Sequence, residues 1–236
     1  DHSINVLVGY TVQKNRVDSN YLNATNFPND LVQTLNAGSV TDGGSRTEEY
    51  SLLSYLARAQ YGFKDKYLLT ASMRADGSSR FGANNKWGYF PSVSAAWKVT
   101  NESFLENSEL ISDLKLRASY GVTGNFEIGN YTTQGLISTS NYGEEAGLAP
   151  STALNDDLTW ERTYSTNFGL NLGLFNNKVS LEVDHYISNT EDLLLNLPVS
   201  TVSGFSKSIQ NIGRLQNKGW EFLVGYRNND HKLKWD

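Results

Sequence analysis

The chain has 236 residues, of which 39% are hydrophobic and 19% charged, and its formal net charge is −5. A mildly acidic chain without basic runs excludes nucleic acid as a partner and a polybasic membrane anchor, and the absence of cysteine excludes disulfides and thiolate chemistry. No apolar stretch approaches the roughly 18 residues of a transmembrane helix; the richest is Leu193 to Val199, so a helical membrane protein is excluded as well.

Twenty glycines, thirteen tyrosines, five tryptophans and one methionine are the usage of a strand-rich chain with many turns. The N-terminus, DHSINVLVGY, has neither the basic region nor the apolar block of a secretion signal and enters directly into alternation, as a piece of a longer chain would. Ile4, Val6, Val8, Tyr10 and Val12 share one face of a first strand, opposite Asn5, Gly9 and Thr11. A polar link, roughly 13 to 47, follows. Leu53, Tyr55, Ala57, Ala59 and Tyr61 then oppose Ser54, Arg58 and Gln60, and the turn FKDK (63 to 66) leads to Tyr67, Leu69, Ala71 and Met73 opposite Thr70, Ser72 and Arg74. After a second long link, 76 to 88, Val93, Ala95, Trp97 and Val99 oppose Ser92, Ser94 and Lys98.

The segment 101 to 113 lies on the short-turn side and is expected to hold a helical turn. Leu114, Leu116, Ala118, Tyr120 and Val122 then oppose Lys115, Arg117 and Ser119, and a Gly- and Asn-rich link spans 124 to 157. In the run 158 to 174, long enough for about seventeen extended residues, Phe168, Leu170, Leu172 and Leu174 oppose Asn167, Gly169, Asn171 and Gly173. The turn FNNK (175 to 178) brings Val179, Leu181 and Val183 opposite Ser180, Glu182 and Asp184; the last long link is 190 to 210. Trp220, Phe222, Val224 and Tyr226 make an eighth strand, RNNDHK (227 to 232) a turn, and KLKWD the start of a ninth.

Short turns and long polar links therefore segregate to opposite ends. Strands of a β-sandwich are about 5 to 6 residues long and hide their apolar face under a second sheet. An outer-membrane barrel shows lipid its apolar face, encloses its polar face, and needs about 9 to 11 residues to cross, with short turns on one side and long loops on the other. The barrel fits better, because ions recur on the polar face of many strands, where a dry core would penalise each unpaired one by several kcal/mol. Tyr61, Tyr67, Trp97, Trp220 and Tyr226, near expected strand ends, suit an aromatic girdle. A secreted β-sandwich, as a carbohydrate-binding module or hydrolase, is the alternative, and a passive structural or adhesive barrel is another.

The stretches YLLTASMRADGSSRFGANNKWGYFPSVSAAWKVTNESFL (67 to 105), LKLRASYGVTGN (114 to 125) and NIGRLQNKGWEF (211 to 222) resemble the barrel of the SusC/RagA family of TonB-linked outer-membrane transporters. HSINVLVGY and ISNTEDLLLNLPV are similar to family segments on either side. The resemblance implies an all-β, antiparallel up-and-down barrel of about 22 strands closed by an N-terminal plug, of which residues 1 to 236 would be a central slice of eight or nine strands without plug or closing strands. It implies energy-coupled import of an oligosaccharide, with peptide as the other cargo class, and no covalent chemistry. The implied partners are a SusD-type surface lipoprotein, the TonB–ExbB–ExbD complex acting through the N-terminal plug region, and outer-membrane lipid.

Candidate chemistry is sparse, and no cofactor is called for. His2, His185 and His231 are far apart and lack metal-ligand spacing. The acid pairs Glu48–Glu49, Glu144–Glu145 and Asp156–Asp157 read as solvated charges rather than glycosidase carboxylates, since adjacent strand residues face opposite ways. Asp76 lies within reach of Arg74 and Arg80, which favours a structural loop over a calcium site. The sequons at Asn23, Asn101 and Asn130 carry no weight in a bacterial chain. Arg58, Arg74, Lys98, Lys115, Arg117, Glu161, Glu182, Asp184 and Glu221 are expected to line the lumen, docking the plug or forming a cargo path. Tyr21, Asn26, Trp87 and Tyr142 are the loop candidates for cargo contact, because sugars stack on aromatic faces and amides bond their hydroxyls.

Overall fold

The computed structural model describes residues 1–32, 34–106, 108–140, 143, 145 and 147–227. Its strands are β1 (His2–Thr25), β2 (Ser39–Phe63), β3 (Tyr67–Ser78), β4 (Trp87–Lys98), β5 (Ile111–Asn125), β6 (Ile137–Thr139), β7 (Leu148–Pro150), β8 (Glu161–Leu174), β9 (Val179–Glu191), β10 (Leu194–Pro198), β11 (Lys207–Asn211) and β12 (Arg214–Tyr226). One antiparallel sheet runs β1-β2-β3-β4-β5-β8-β9-β12; β6–β7 and β10–β11 are separate hairpins within the long links. KLKWD and most of the turn before it lie outside the described residues.

Register turns the alternation of each strand into two continuous faces. Ile4, Tyr61, Leu69, Ala95, Ala118, Phe168, His185 and Trp220 are direct partners across all eight strands, and the next row is Asn5, Gln60, Thr70, Ser94, Ser119, Asn167, Tyr186 and Gly219. Among the described residues no second sheet covers the apolar face: Val93, Leu116 and Phe222 are 45%, 42% and 67% exposed. A sandwich is therefore excluded.

The buried core lies where the long links meet β4 and β5. Phe81, Phe90, Val122, Ile128, Leu158 and Trp160 form one cluster, with β10 and β11 packed against it through Leu194 and Ile209. That cluster captures Leu158 and Trp160, so the strand expected from 158 begins at Glu161.

The expected link 13 to 47 is mostly strand. β1 and β2 stay paired out to Thr25 opposite Ser39, with a bulge at Asn23/Ala24, leaving 26–38 as the connection. Both faces of this extension meet water, so backbone pairing holds it without any apolar alternation to announce it. The link 76 to 88 contracts to 79–86 because β3 stays paired with β4 out to Gly77 opposite Trp87, with Asp76 and Ser78 buried beside it. In the short turns, Lys64, Asp65, Phe175, Asn176 and Asn177 all adopt positive φ, which Asn and Asp tolerate best. The helical turn expected in 101 to 113 does not lie there among the described residues; a 3-10 turn at Val99–Asn101 comes just before it and shares only Asn101 with it.

Candidate functional site

The polar face is layered along the strands. Toward the short turns it is charged. Lys98 and Lys115 are direct partners on β4 and β5, and Asp184 and Glu221 on β9 and β12. Like charges set opposite each other oppose pairing and call for a counter-ion. Arg117 provides one, its Nη2 donating to Asp184 Oδ2 at 2.9 Å. This bond crosses over β8, and it exists because residue 169 is glycine: a Cβ there would sit 2.5 Å from Asp184 Oδ1 and 2.8 Å from Arg117 Cζ. Arg58, Lys98, Lys115, Glu182 and Glu221 make no ion pair with any described residue. Buried Arg117 Nε and Asn171 Oδ1 have no hydrogen-bond partner among the described residues. Free cations thus lie on β2 to β5 and free acids on β9 and β12.

A hydroxyl zone comes next, with Ser72 and Ser92 joined at 2.7 Å, Ser165 and Ser188 at 3.2 Å, and Thr163 and Thr190 at 2.9 Å. Above it the charges are engaged. Arg74 Nε donates to both Asp76 oxygens at 2.8 Å and Nη2 to Ser54 Oγ at 3.1 Å. Arg80, also a candidate partner for Asp76, instead lies over the Tyr50 ring at 4.1 Å and near Phe126 at 5.3 Å, and donates to Asn130 Oδ1. Glu161 accepts from Asn125 Nδ2 and from the Leu194 N–H, fixing the start of β10. Among the described residues no three His, Cys, Asp or Glu side chains group to hold a metal.

The lining set thus shares one face, and the described loop candidates are spread over the far end of β1 and the start of β4. Tyr21 lies within β1 and Asn26 just past it. Trp87 starts β4 and stacks on Tyr55 at 5.9 Å and 18° on the apolar face, making an upper aromatic belt with Tyr89 that the loop reading missed, although Trp87 and Tyr89 continue the alternation of Val93. Tyr142, Glu144 and His231 lie outside the described residues. Tyr61, Tyr67, Trp97 and Tyr226 hold the short-turn end, but Trp220 is at the midpoint of β12, stacked on His185 at 4.4 Å. His2 shares a 2.8 Å hydrogen bond with Tyr61 Oη. Glu48 pairs with Arg46 and Glu49 with Lys14 and Arg16, on opposite faces of β2.

The lower belt has a clasp that alternation could not reveal. Glu102 accepts from Tyr67 Oη at 2.7 Å, Lys66 Nζ at 2.9 Å and Trp97 Nε1 at 3.1 Å, which together hold its carboxyl down to about 2. Because this lies below the ordinary carboxyl range, the stabilisation is complete above about pH 4.5 and is lost as pH falls toward 2. Urea titration of the full-length protein in detergent should therefore show Glu102→Gln destabilised at neutral pH, with the gap to wild type closing as the solution is acidified. A gap independent of pH would refute the clasp.

A family model described as "TonB dependent receptor-like, beta-barrel" matches residues 1–236. TonB-dependent receptor P39 of Formosa agariphila is 41% identical over 227 residues, covering 94% of this chain and 22% of the relative. TonB-dependent receptor SusC of Bacteroides thetaiotaomicron is 37% identical over 183 residues, covering 74% and 18%. The RagAB peptide transporter superposes with a TM-score of 0.89 at 38% identity over 98% of this chain and 26% of its own; its "closed-closed" and "open-open" states give 0.88 and 0.87. The chain spans about a quarter of the length of the relatives it matches.

Proposed function

Because the chain belongs to the TonB-dependent receptor β-barrel family and so lies in the bacterial outer membrane, we propose that it forms one wall of a plug-gated importer. The whole of 1–236 belongs to the barrel in this reading, with the plug and closing strands elsewhere in a longer protein. The observation that carries it is the lower polar zone, where Lys98 and Lys115 face each other across one strand pair and Glu182 and Glu221, on others, have no ion pair with any described residue. A plug carrying complementary charges satisfies both groups at once, whereas a passive pore gains nothing from unpaired ions beside one another. The near-equal match to open and closed RagAB supports a wall that stays fixed while other parts move.

Import needs no chemistry on the cargo. The hydroxyl and amide zone around Ser92, Ser94, Ser119, Ser165 and Asn167 suits an oligosaccharide, whose hydroxyls both donate and accept. Peptide is the second reading, favoured by 38% identity to a peptide transporter. A SusD-like lipoprotein at the long-loop end and TonB-driven withdrawal of the plug complete the assignment.

The test compares uptake of labelled oligosaccharides and labelled oligopeptides by cells whose only copy is the full-length receptor. Uptake should stop with a protonophore. Exchanging both Lys98 and Lys115 for glutamate should raise leakage of a bulky antibiotic about tenfold or more, as the plug loses its seat. Energy-independent uptake together with unchanged leakage would overturn the plug-gated reading.

A further inference from the structure

On β8, β9 and β12 the partners Leu174, Val179 and Tyr226 mark the short-turn end of the outward face, and Tyr164, Asn189 and Gln216 form a parallel row ten residues further along each strand. At about 3.3 Å per residue and a tilt of about 40°, that row stands about 25 Å higher, the height of the apolar band of an outer-membrane barrel. There the outward residues change character. Leucine, valine and phenylalanine give way to Arg162, Glu191 and Arg214, which are again direct partners.

Tyr164, Asn189, Glu191, Arg214 and Gln216 line a polar pocket of about 560 Å³. Gln216 Nε2 donates to Asn189 Oδ1 at 2.6 Å, which fixes both amides. Arg214 is 3.7 Å from Glu191, with its side chain 82% exposed, so most of its donors are free. Arg162 and Lys218 make no ion pair with any described residue. Lys218 lies two positions below Gln216 on the same face, and its flexible stem can carry the ammonium up to the pocket.

Three cations thus share this stretch of the outward face with one carboxylate, which among the described residues pairs with Arg214 alone. The outward charges of β1 and β2 are balanced by contrast: Lys14 and Arg16 are paired with Asp18 and Glu49, and Arg16 spends Nε, Nη1 and Nη2 on those acids.

We propose that Arg162, Arg214 and Lys218 form a binding site for the phosphate group of an outer-leaflet glycolipid headgroup. Arginine forks match phosphate oxygens in bidentate geometry, and Tyr164, Asn189 and Gln216 offer the donors and acceptors that the headgroup sugar requires. A lipid, rather than free phosphate, is the occupant because on the same three strands the outward residues further down, Phe168, Trp220, Leu170, Val183 and Phe222, are apolar and would hold the acyl chains. The proposal rests on the outward orientation of this face and is independent of plug docking and cargo.

The full-length receptor in mild detergent is titrated with a bisphosphorylated lipid A, with the same lipid dephosphorylated, and with inorganic phosphate, and bound lipid is read by native mass spectrometry. Wild type should bind the phosphorylated lipid at least about tenfold more tightly than the dephosphorylated one, with excess inorganic phosphate unable to displace it. The triple variant Arg162→Gln, Arg214→Gln, Lys218→Gln should lose that preference while importing cargo normally. Equal binding of both lipids by wild type, which needs no variant to fold, sinks the proposal; so does displacement by inorganic phosphate, or an undiminished preference in a triple variant that still imports.

Discussion

Leu170→Arg in the full-length receptor is expected to cost about 2–4 kcal/mol, whereas Asn167→Arg on the same strand should cost less than about 1 kcal/mol. Leu170 belongs to the outward row Leu116, Leu170, Val183 and Phe222, four residues from the short-turn end of β8 and six from Tyr164, close to the bilayer midplane. A guanidinium there is stripped of water with no partner in reach. Asn167 belongs to the opposite row, beside Ser119 and Tyr186, where an arginine stays hydrated. Urea midpoints in lipid vesicles measure the difference. Equal costs at the two positions would mean that the faces have been assigned the wrong solvents.

Trp160→Ala should give the second large effect, about 3–5 kcal/mol, by the cavity left in a packed cluster. The Trp160 ring is 2% exposed, lies 5.1 Å from Phe81 and 5.3 Å from Phe90, and its Nε1 donates to the Lys86 carbonyl. The loss should be local, because most of the cluster lies outside the eight-stranded sheet, to which Phe90 of β4 and Val122 of β5 tie it, and the ladder itself is held by backbone pairing. Amide exchange should therefore rise in 79–86, 126–136 and 151–160 while β3 to β5 keep their protection. Leu154, 64% exposed, is the control, and its alanine variant should change little. Uniform loss of protection across the strands would show that the cluster supports the barrel as well as the loops.

The same packing draws the loop end tightly against the cluster. Gly124 makes room for the Phe90 ring beneath it, and any side chain there would displace that ring. Asn155 and Asn211 add bonds from the 151–160 loop to β11: Asn155 Nδ2 donates to the Ile209 carbonyl, and Asn211 Oδ1 accepts from the Thr159 N–H.

What the amino-acid order alone determined is which residues form the membrane-crossing strands and which way each side chain faces. Successive residues of a strand point to opposite sides, so a local period of two carries both facts, and the register rows from Ile4 to Trp220 confirm them. Local turn chemistry likewise marked the short connections at 63–66 and 175–178. Tertiary structure decided the rest, because the rest depends on residues that meet only when strands align. The reach of Arg117 to Asp184, 67 positions away, needs the register of three strands and a glycine between them. The Glu102 clasp needs two neighbouring turns brought together. The extension of β1 and β2 beyond the apolar band left no periodic trace, since water bathes both of its faces. The buried cluster around Trp160 draws its members from four separate stretches of chain, and no single stretch shows a pattern of burial.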